Sequence, residues 1–466
     1  MAPLVRRLAA VVASTVLLVD TAEALRTAPR SPTLRTIPKM VQSFRRITEK
    51  AKFGNHEGVH VPKLSAITAL LLNYMKRKPI CYVFHPPSGI PNCTMNDQEK
   101  CTLTSMSRAS PSTMVYPGGK TRCLNNSFPE FAFQVFPGDR DKLYILFDGG
   151  GAEWDALSTS VSAANKTHVW PHAAEGFLGR GKDHPSPFRD YTILFVQYCS
   201  GDLHSGDVTQ QYTDVDKGPV KQMGYHNTMS VVNWALANME PKLKSLVVSG
   251  VSAGAIAAEV WASKLLKTFK WESARIWADS YVPVFPKDFQ GKIFHRLGVC
   301  GKDLLEGELL QACKKRTVNI EDVYEAAIKA HPEVGFGSVT STEDFGQTVF
   351  YQLTALTELD PYESLTFTGR NFHRRACKIL QRYSAQPNFV SFMIHSDIHI
   401  LQMCPDAFKL YQEVNGTKSM FVDWMRSFLG SNASSPVGSV ARIDSKGPKT
   451  CTKLLNEKSM LLAQQT

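Results

Sequence analysis

The sequence has no Cys-x-x-Cys pair among its ten cysteines, no internal repeat and no alternation of basic with aromatic residues. No apolar run approaches the roughly 20 residues that span a bilayer. These absences argue in turn against a zinc ribbon, a repeat architecture, a nucleic-acid surface built on stacking, and a transmembrane helix. Charged residues make up only 20% and hydrophobic residues 43%, which is too apolar for disorder and too mixed for collagen or a coiled coil. With 466 residues, 25 Phe, 14 Tyr and 7 Trp, the chain can bury a large core without cross-links, as one large domain or two ordinary ones.

The net charge of +11 is unevenly spread. Arg6 and Arg7 precede an apolar run from Leu8 to Val19, and Ala22-Glu23-Ala24 sets small residues where a signal peptidase reads. Residues 1–24 therefore read as a signal peptide cut after Ala24, giving a secreted chain. Residues 25–79 hold twelve Lys/Arg against two Glu, a basic linker or pro-segment with a possible helix from Lys63 to Met75. Only +1 remains for residues 80 to 466, so the main body, residues 80–430, lacks the field of a nucleic-acid binder. Residues 431–466 read as a C-terminal tail.

The ten cysteines fit an oxidising compartment. Cys300 and Cys313 are close enough to close a short loop, and the four from Cys81 to Cys123 suggest a local staple at the entry to the domain. Five sequons, at Asn92, Asn125, Asn165, Asn415 and Asn432, would make the exported chain a glycoprotein in a eukaryotic host.

Leu143 to Phe147, Tyr191 to Val196, Leu246 to Ser249, Arg275 to Ala278 and Phe389 to Ile394 are bounded apolar runs of buried-strand length. Helical patterns lie between them, such as His226 to Met239, Ala253 to Thr268 and Ile320 to Ala330. That rhythm implies the α/β class, with a mostly parallel sheet covered on both faces.

Gly250-Val251-Ser252-Ala253-Gly254 follows one of these strands and opens a helix, the context of a nucleophile elbow. The turn projects the Ser252 hydroxyl, the glycines leave room for strand and helix, and the helix N-terminus favours developing negative charge. The turn after the first of those strands, Asp148-Gly149-Gly150-Gly151-Ala152-Glu153-Trp154, offers amides free of side-chain interference, which an oxyanion hole requires. Ala253, next to the serine, would supply another. Trp154 offers an aromatic face to a sugar or acyl chain, and Glu153 a carboxylate near the mouth.

Serine needs a base and the base an orienting acid. His395 and His399 follow the last strand-like run, and His399 is the better base because His395 lies almost against the strand. At i, i+4 spacing the two could instead share a metal, but no third ligand is evident. Asp279, Asp344, Asp360 and Asp397 are all candidate acids, and spacing does not choose between them; Asp344 is equally a plain helix N-cap.

Tyr198-Cys199-Ser200-Gly201-Asp202-Leu203-His204-Ser205-Gly206-Asp207, together with the glycine triplet, the elbow and Gly224-Tyr225-His226-Asn227, resembles the pectinacetylesterase family, which includes the Notum-type carboxylesterases. The likeness runs from about Cys123 to about Phe428. It implies an α/β-hydrolase-like three-layer sandwich with a Ser-Asp-His triad. By position it carries Ser252 as nucleophile, His399 as base, Asp344 with Gln347 as the acid motif, and Gly150, Gly151 and Ala253 as oxyanion donors. The chain departs from the family at Glu153, where many members have cysteine.

The reading that results is a secreted serine carboxylesterase acting on an acylated carbohydrate or a related ester, with no metal or organic cofactor. The alternatives are a non-catalytic glycan- or lipid-binding protein on the same fold and a Notum-like deacylase of proteins or lipids. The mature protein is expected to begin at or near Leu25 and to contain disulfides, with Cys199 the cysteine least expected to be paired. Intact mass before and after reduction checks this; ten thiols alkylated without reduction would contradict it.

Overall fold

The computed structural model describes residues 87–430, except 107–109, 126–130, 156–157, 160–168, 181–182, 213–218, 359, 405 and 415–416, together with residue 451. The expected signal peptide, basic segment and most of the tail lie outside the described residues, as do Asn165, Asn415 and Asn432. Everything described belongs to the unit Pro79–Thr466. Among the described residues no helix is long and apolar enough to cross a membrane.

Thirteen strands are described: β1 (Asn92–Thr94), β2 (Thr113–Tyr116), β3 (Phe133–Phe136), β4 (Asp139–Phe147), β5 (Tyr191–Val196), β6 (Val208–Gln210), β7 (Val220–Gln222), β8 (Leu243–Val251), β9 (Trp271–Asp279), β10 (Gly335–Ser341), β11 (Phe389–Ile394), β12 (Tyr411–Val414) and β13 (Thr417–Met420). Nine form one sheet in the order β1-β2-β3-β5-β4-β8-β9-β10-β11. The run from β5 to β11 is parallel throughout, while β3 lies antiparallel to both β2 and β5. This is the α/β-hydrolase-like arrangement, with β5 and β4 exchanged beside the central β8.

The strands are buried on both faces because their side chains alternate between two apolar layers. Leu143, Ile145 and Phe147 of β4 enter one core cluster with Leu246 and Val248 of β8, while Tyr144 and Leu146 join Val247, Val251 and Trp277 in the other. The helix Ala253–Thr268 packs on the first layer through Ala255, Ile256, Ala258 and Trp261, and the helix Phe421–Gly430 packs on the second through Phe421, Trp424 and Phe428.

The cysteines pair Cys93–Cys101, Cys123–Cys199, Cys300–Cys313 and Cys377–Cys451, and no described cysteine is free. The short Cys300–Cys313 loop agrees with the sequence. Two expectations do not hold. Cys123 is not part of a purely local staple, and Cys199 is not unpaired. The two sulfurs bind each other because the backbone already brings the segments together: the Leu124 amide donates to the Cys199 carbonyl at 2.8 Å. The bond fastens the chain before β3 to the Tyr198–Asp207 loop. Within the expected tail, Cys451 is buried and bonded to Cys377.

Replacing Cys199 by serine should cost about 2–5 kcal/mol, because the crosslink closes a long loop. Reversible denaturation checks this, and an unchanged midpoint would contradict it.

Candidate active site

β8 ends at Val251, and Ser252 stands between it and the helix Ala253–Thr268 with φ 54° and ψ −119°. A non-glycine residue in this region carries strain of about 1–3 kcal/mol and persists only where its surroundings enforce it. Here they do. A Cβ on Gly250 would lie 1.9 Å from the Gly254 carbonyl oxygen, and one on Gly254 would lie 2.2 Å from that of Phe147. Strand, turn and helix therefore approach more closely than any side chain allows. The Ser252 amide donates to the Asp279 carbonyl at 2.9 Å, which pins the turn to β9.

Ser252 Oγ lies 2.9 Å from His399 Nε2, and His399 Nδ1 lies 2.8 Å from Asp344 Oδ1. Asp344 is fully buried, and its carboxylate also accepts the Gln347 amide and the Gln347 side-chain N–H, each at 2.9 Å. With the carboxylate as acceptor, the imidazole proton sits on Nδ1, and Nε2 is left to accept from Ser252. Gln347 is held in turn: its Oε1 accepts the Val282 amide at 2.6 Å and its Nε2 donates to Thr340 Oγ1 at 3.1 Å.

Asp344 is both of the things the sequence left open, since it caps the helix Phe345–Thr357 while it holds the histidine. Of the other acids, Asp360 caps the short helix Pro361–Thr366, and the Asp397 carbonyl accepts the Phe345 amide. Asp279 binds the backbone beyond His399 rather than its ring. His395 Nδ1 faces Thr342 Oγ1 at 3.4 Å, so the two histidines point to different partners. Two clusters with possible metal-ligand atoms occur among the described residues, and the cysteines of both are in disulfides.

His399 is 9% exposed. Burial alone would lower its pKa, but the charge and hydrogen bond of Asp344, aided by the charge of Asp279, raise it above the ordinary histidine value. The imidazolium is thus the favoured form over a wider range of pH than usual.

The glycine triplet reaches the serine from the end of β4. A Cβ on Gly149 would stand 3.0 Å from that of Ser252. Gly150 and Gly151 have φ 148° and 82°, and no partner for the amides of Gly151 or Ala253 occurs among the described residues. The loop is braced from behind by residues whose role the sequence did not disclose. Tyr198 Oη donates to the Gly151 carbonyl at 2.9 Å and accepts the Leu203 amide at 3.0 Å. His204 Nε2 donates to the Asp148 carbonyl at 2.9 Å; burial pushes this imidazole down to about 4, so it is neutral. Asp202, raised to about 6 by burial, accepts from Ser200 Oγ and the Gly224 amide. Asn227 makes two bonds to the Arg122 backbone, each 2.9 Å. The Tyr198–Asp207 motif is therefore scaffolding for the glycine loop.

Glu153 and Trp154 do not stand open at the mouth. Glu153 is fully buried, with its amide donating to the Gly201 carbonyl at 2.7 Å, and its side chain packs against Gly201. Trp154 is 4% exposed; its Nε1 donates to Thr357 Oγ1, and its ring meets Phe289 and Phe350 edge-on. The brace turns the first side chain under Gly201, and aromatic packing covers the second.

Fold and geometry together define an α/β-hydrolase-like protein with a serine, a histidine and a buried carboxylate in hydrogen-bond sequence. Residues 106–295 match the family model Pectinacetylesterase, which bears out the family resemblance and supports an esterase function. Gly150, Gly151, Ser252 and Ala253 fall inside the matched stretch; Asp344 and His399 fall outside it. No curated protein matches the chain. Among solved structures, the Wnt deacylase Notum from Drosophila is similar, with 15% identity, 66% of this chain and 89% of that chain covered, and a TM-score of 0.47. The disulfides fit an extracellular or secretory-lumen location.

Asp344→Asn should lower kcat by about four orders of magnitude, because the amide stabilises the wrong imidazole tautomer. For any residual activity the acid limb of kcat/KM should move to lower pH, since the charge that raises His399 is gone. A pH–rate profile on an aryl acetate checks both; unchanged activity would remove Asp344 from the site.

Proposed function

We propose that the protein is a secreted serine carboxylesterase working through an acyl-enzyme. The observation that carries this is the unbroken hydrogen-bond chain from Ser252 through His399 to Asp344 at a strained turn. His399 Nε2 takes the proton as Ser252 Oγ attacks the ester carbonyl, and Asp344 holds the resulting imidazolium. The amides of Gly150, Gly151 and Ala253 receive the oxyanion, His399 returns the proton to the leaving alcohol, and water releases the acid by the reverse path. Every proton in this scheme is moved by His399, and no cofactor takes part.

The substrate reading is an acyl group that is short or fits a narrow pocket, carried on a neutral carbohydrate or a protein alcohol. The charge of only +1 over residues 80 to 466 gives no broad field to gather an anionic polymer. One local feature favours a second reading. A cavity of about 340 Å³ is lined by Lys120, Arg122 and Lys221, beside a His226 paired with Asp207, and so offers three cations to a carboxylate-rich chain such as acetylated polygalacturonate.

Ser252→Ala should lower kcat on a small aryl acetate by at least about a thousandfold and leave the fold intact. Turnover near wild type would end the proposal. A panel of acetylated xylan, acetylated polygalacturonate and p-nitrophenyl esters from acetate to palmitate separates the substrates. Preference for polygalacturonate selects the second reading, and a maximum at long chains selects a lipid-type deacylase.

A further inference from the structure

The loop that carries His399 runs from the end of β11 between two supports. On one side it joins the acid: the Glu343 amide donates to the Ser396 carbonyl at 2.9 Å, the Phe345 amide to the Asp397 carbonyl at 3.2 Å, and Ser341 Oγ to the Ile398 carbonyl at 2.6 Å. On the other side stand Asp279 and Ser280, at the end of β9. Ser280 Oγ accepts the Ile400 amide at 2.8 Å and donates to Asp279 Oδ1 at 2.8 Å. The Asp279 carboxylate accepts the Leu401 amide at 3.1 and 3.2 Å and the Gln402 amide at 2.7 Å. Three successive amides after His399 thus end on two adjacent side chains.

We infer that Asp279 and Ser280 are positioning residues that set the distance between Ser252 and His399, an inference that rests on the esterase reading. Asp279 is the part common to both partners, because its carbonyl holds the Ser252 amide while its carboxylate holds the histidine loop. Ser280 and Ile400 both take positive φ, 59° and 67°, so the loop and its anchor adopt conformations that relax without the bonds between them. The Gln402 side chain extends the anchor beneath the sheet: its Oε1 accepts from Tyr144 Oη at 2.8 Å and from Ser249 Oγ at 3.3 Å, one residue of β4 and one of β8. Placement to within about 1 Å decides a factor of about a hundred in rate. The titratable groups facing this junction are His399, Asp344 at the N-cap of the helix Phe345–Thr357, and Tyr144 on β4. Burial raises the Asp279 carboxyl itself to about 6, and in its charged form it helps raise the imidazole.

The test compares wild type, Asp279→Asn and Ser280→Ala on p-nitrophenyl acetate, with kcat, KM, a pH profile and a melting temperature for each. Asp279→Asn turns an N–H donor toward at least one of these amides and removes the charge. It should lower kcat by about ten- to a hundredfold with KM little changed, and shift the acid limb to lower pH. Ser280→Ala, which keeps the carboxylate, should lower kcat with a smaller shift of that limb. It carries the test alone if Asp279→Asn does not fold. A lower melting temperature with wild-type kcat and an unmoved acid limb in the folded variants would show a structural role only and overturn the inference. An inactive wild type would instead overturn the esterase reading, so the two failures are distinct.

Discussion

The site depends on one steric constraint, the contact of Gly250 with Gly254 and of Gly254 with the end of β4. Because no Cβ fits at either position, the chain passes from β8 into the helix Ala253–Thr268 without a spacer, and Ser252 is left in a conformation it would not otherwise choose. The hydroxyl is thereby aimed across the ends of the strands. The same closeness brings the helix N-terminus and the Gly149–Gly151 turn beside it. Neither a more open turn nor a larger residue at 250 or 254 would hold the serine and the glycine loop side by side.

Around that constraint Asp279, Asp344, Gln347 and His399 are buried and joined by hydrogen bonds, which makes their geometry rigid. Asp344 is held by Gln347, Gln347 by Val282 in the loop after β9 and by Thr340 of β10, and His399 by Asp344. The Tyr198–Asp207 loop does the same for the glycine turn and is fixed by the Cys123–Cys199 crosslink. Burial would oppose charge on His399, yet the two acids outweigh it, so the imidazolium is the form the site stabilises.

Much of this was legible in the sequence, for identifiable reasons. Tyr191–Val196, Ala253–Thr268, Ile320–Ala330 and Phe389–Ile394 have the expected bounds because apolar content and length agree with the element formed. β10, with the sequence Gly335–Ser341, was not foreseen: glycine, serine and threonine give no apolar run, and the strand is buried because Phe336 enters one apolar layer and Val339 the other. Ser252 was evident because sterics write the glycines into the chain. Asp344 was not separable from Asp279 by spacing, since both acids lie at strand or helix ends and only the fold shows which one meets the ring. Cys199 and Glu153 misled because adjacency to a site in sequence does not tell which way a side chain turns.

The most direct measurement is covalent labelling of the native protein with a fluorophosphonate, followed by peptide mapping. An activated serine beside an oxyanion hole predicts a single adduct on Ser252, formed faster as pH rises through the His399 titration. No adduct on correctly folded protein, or one on another residue, would contradict the account.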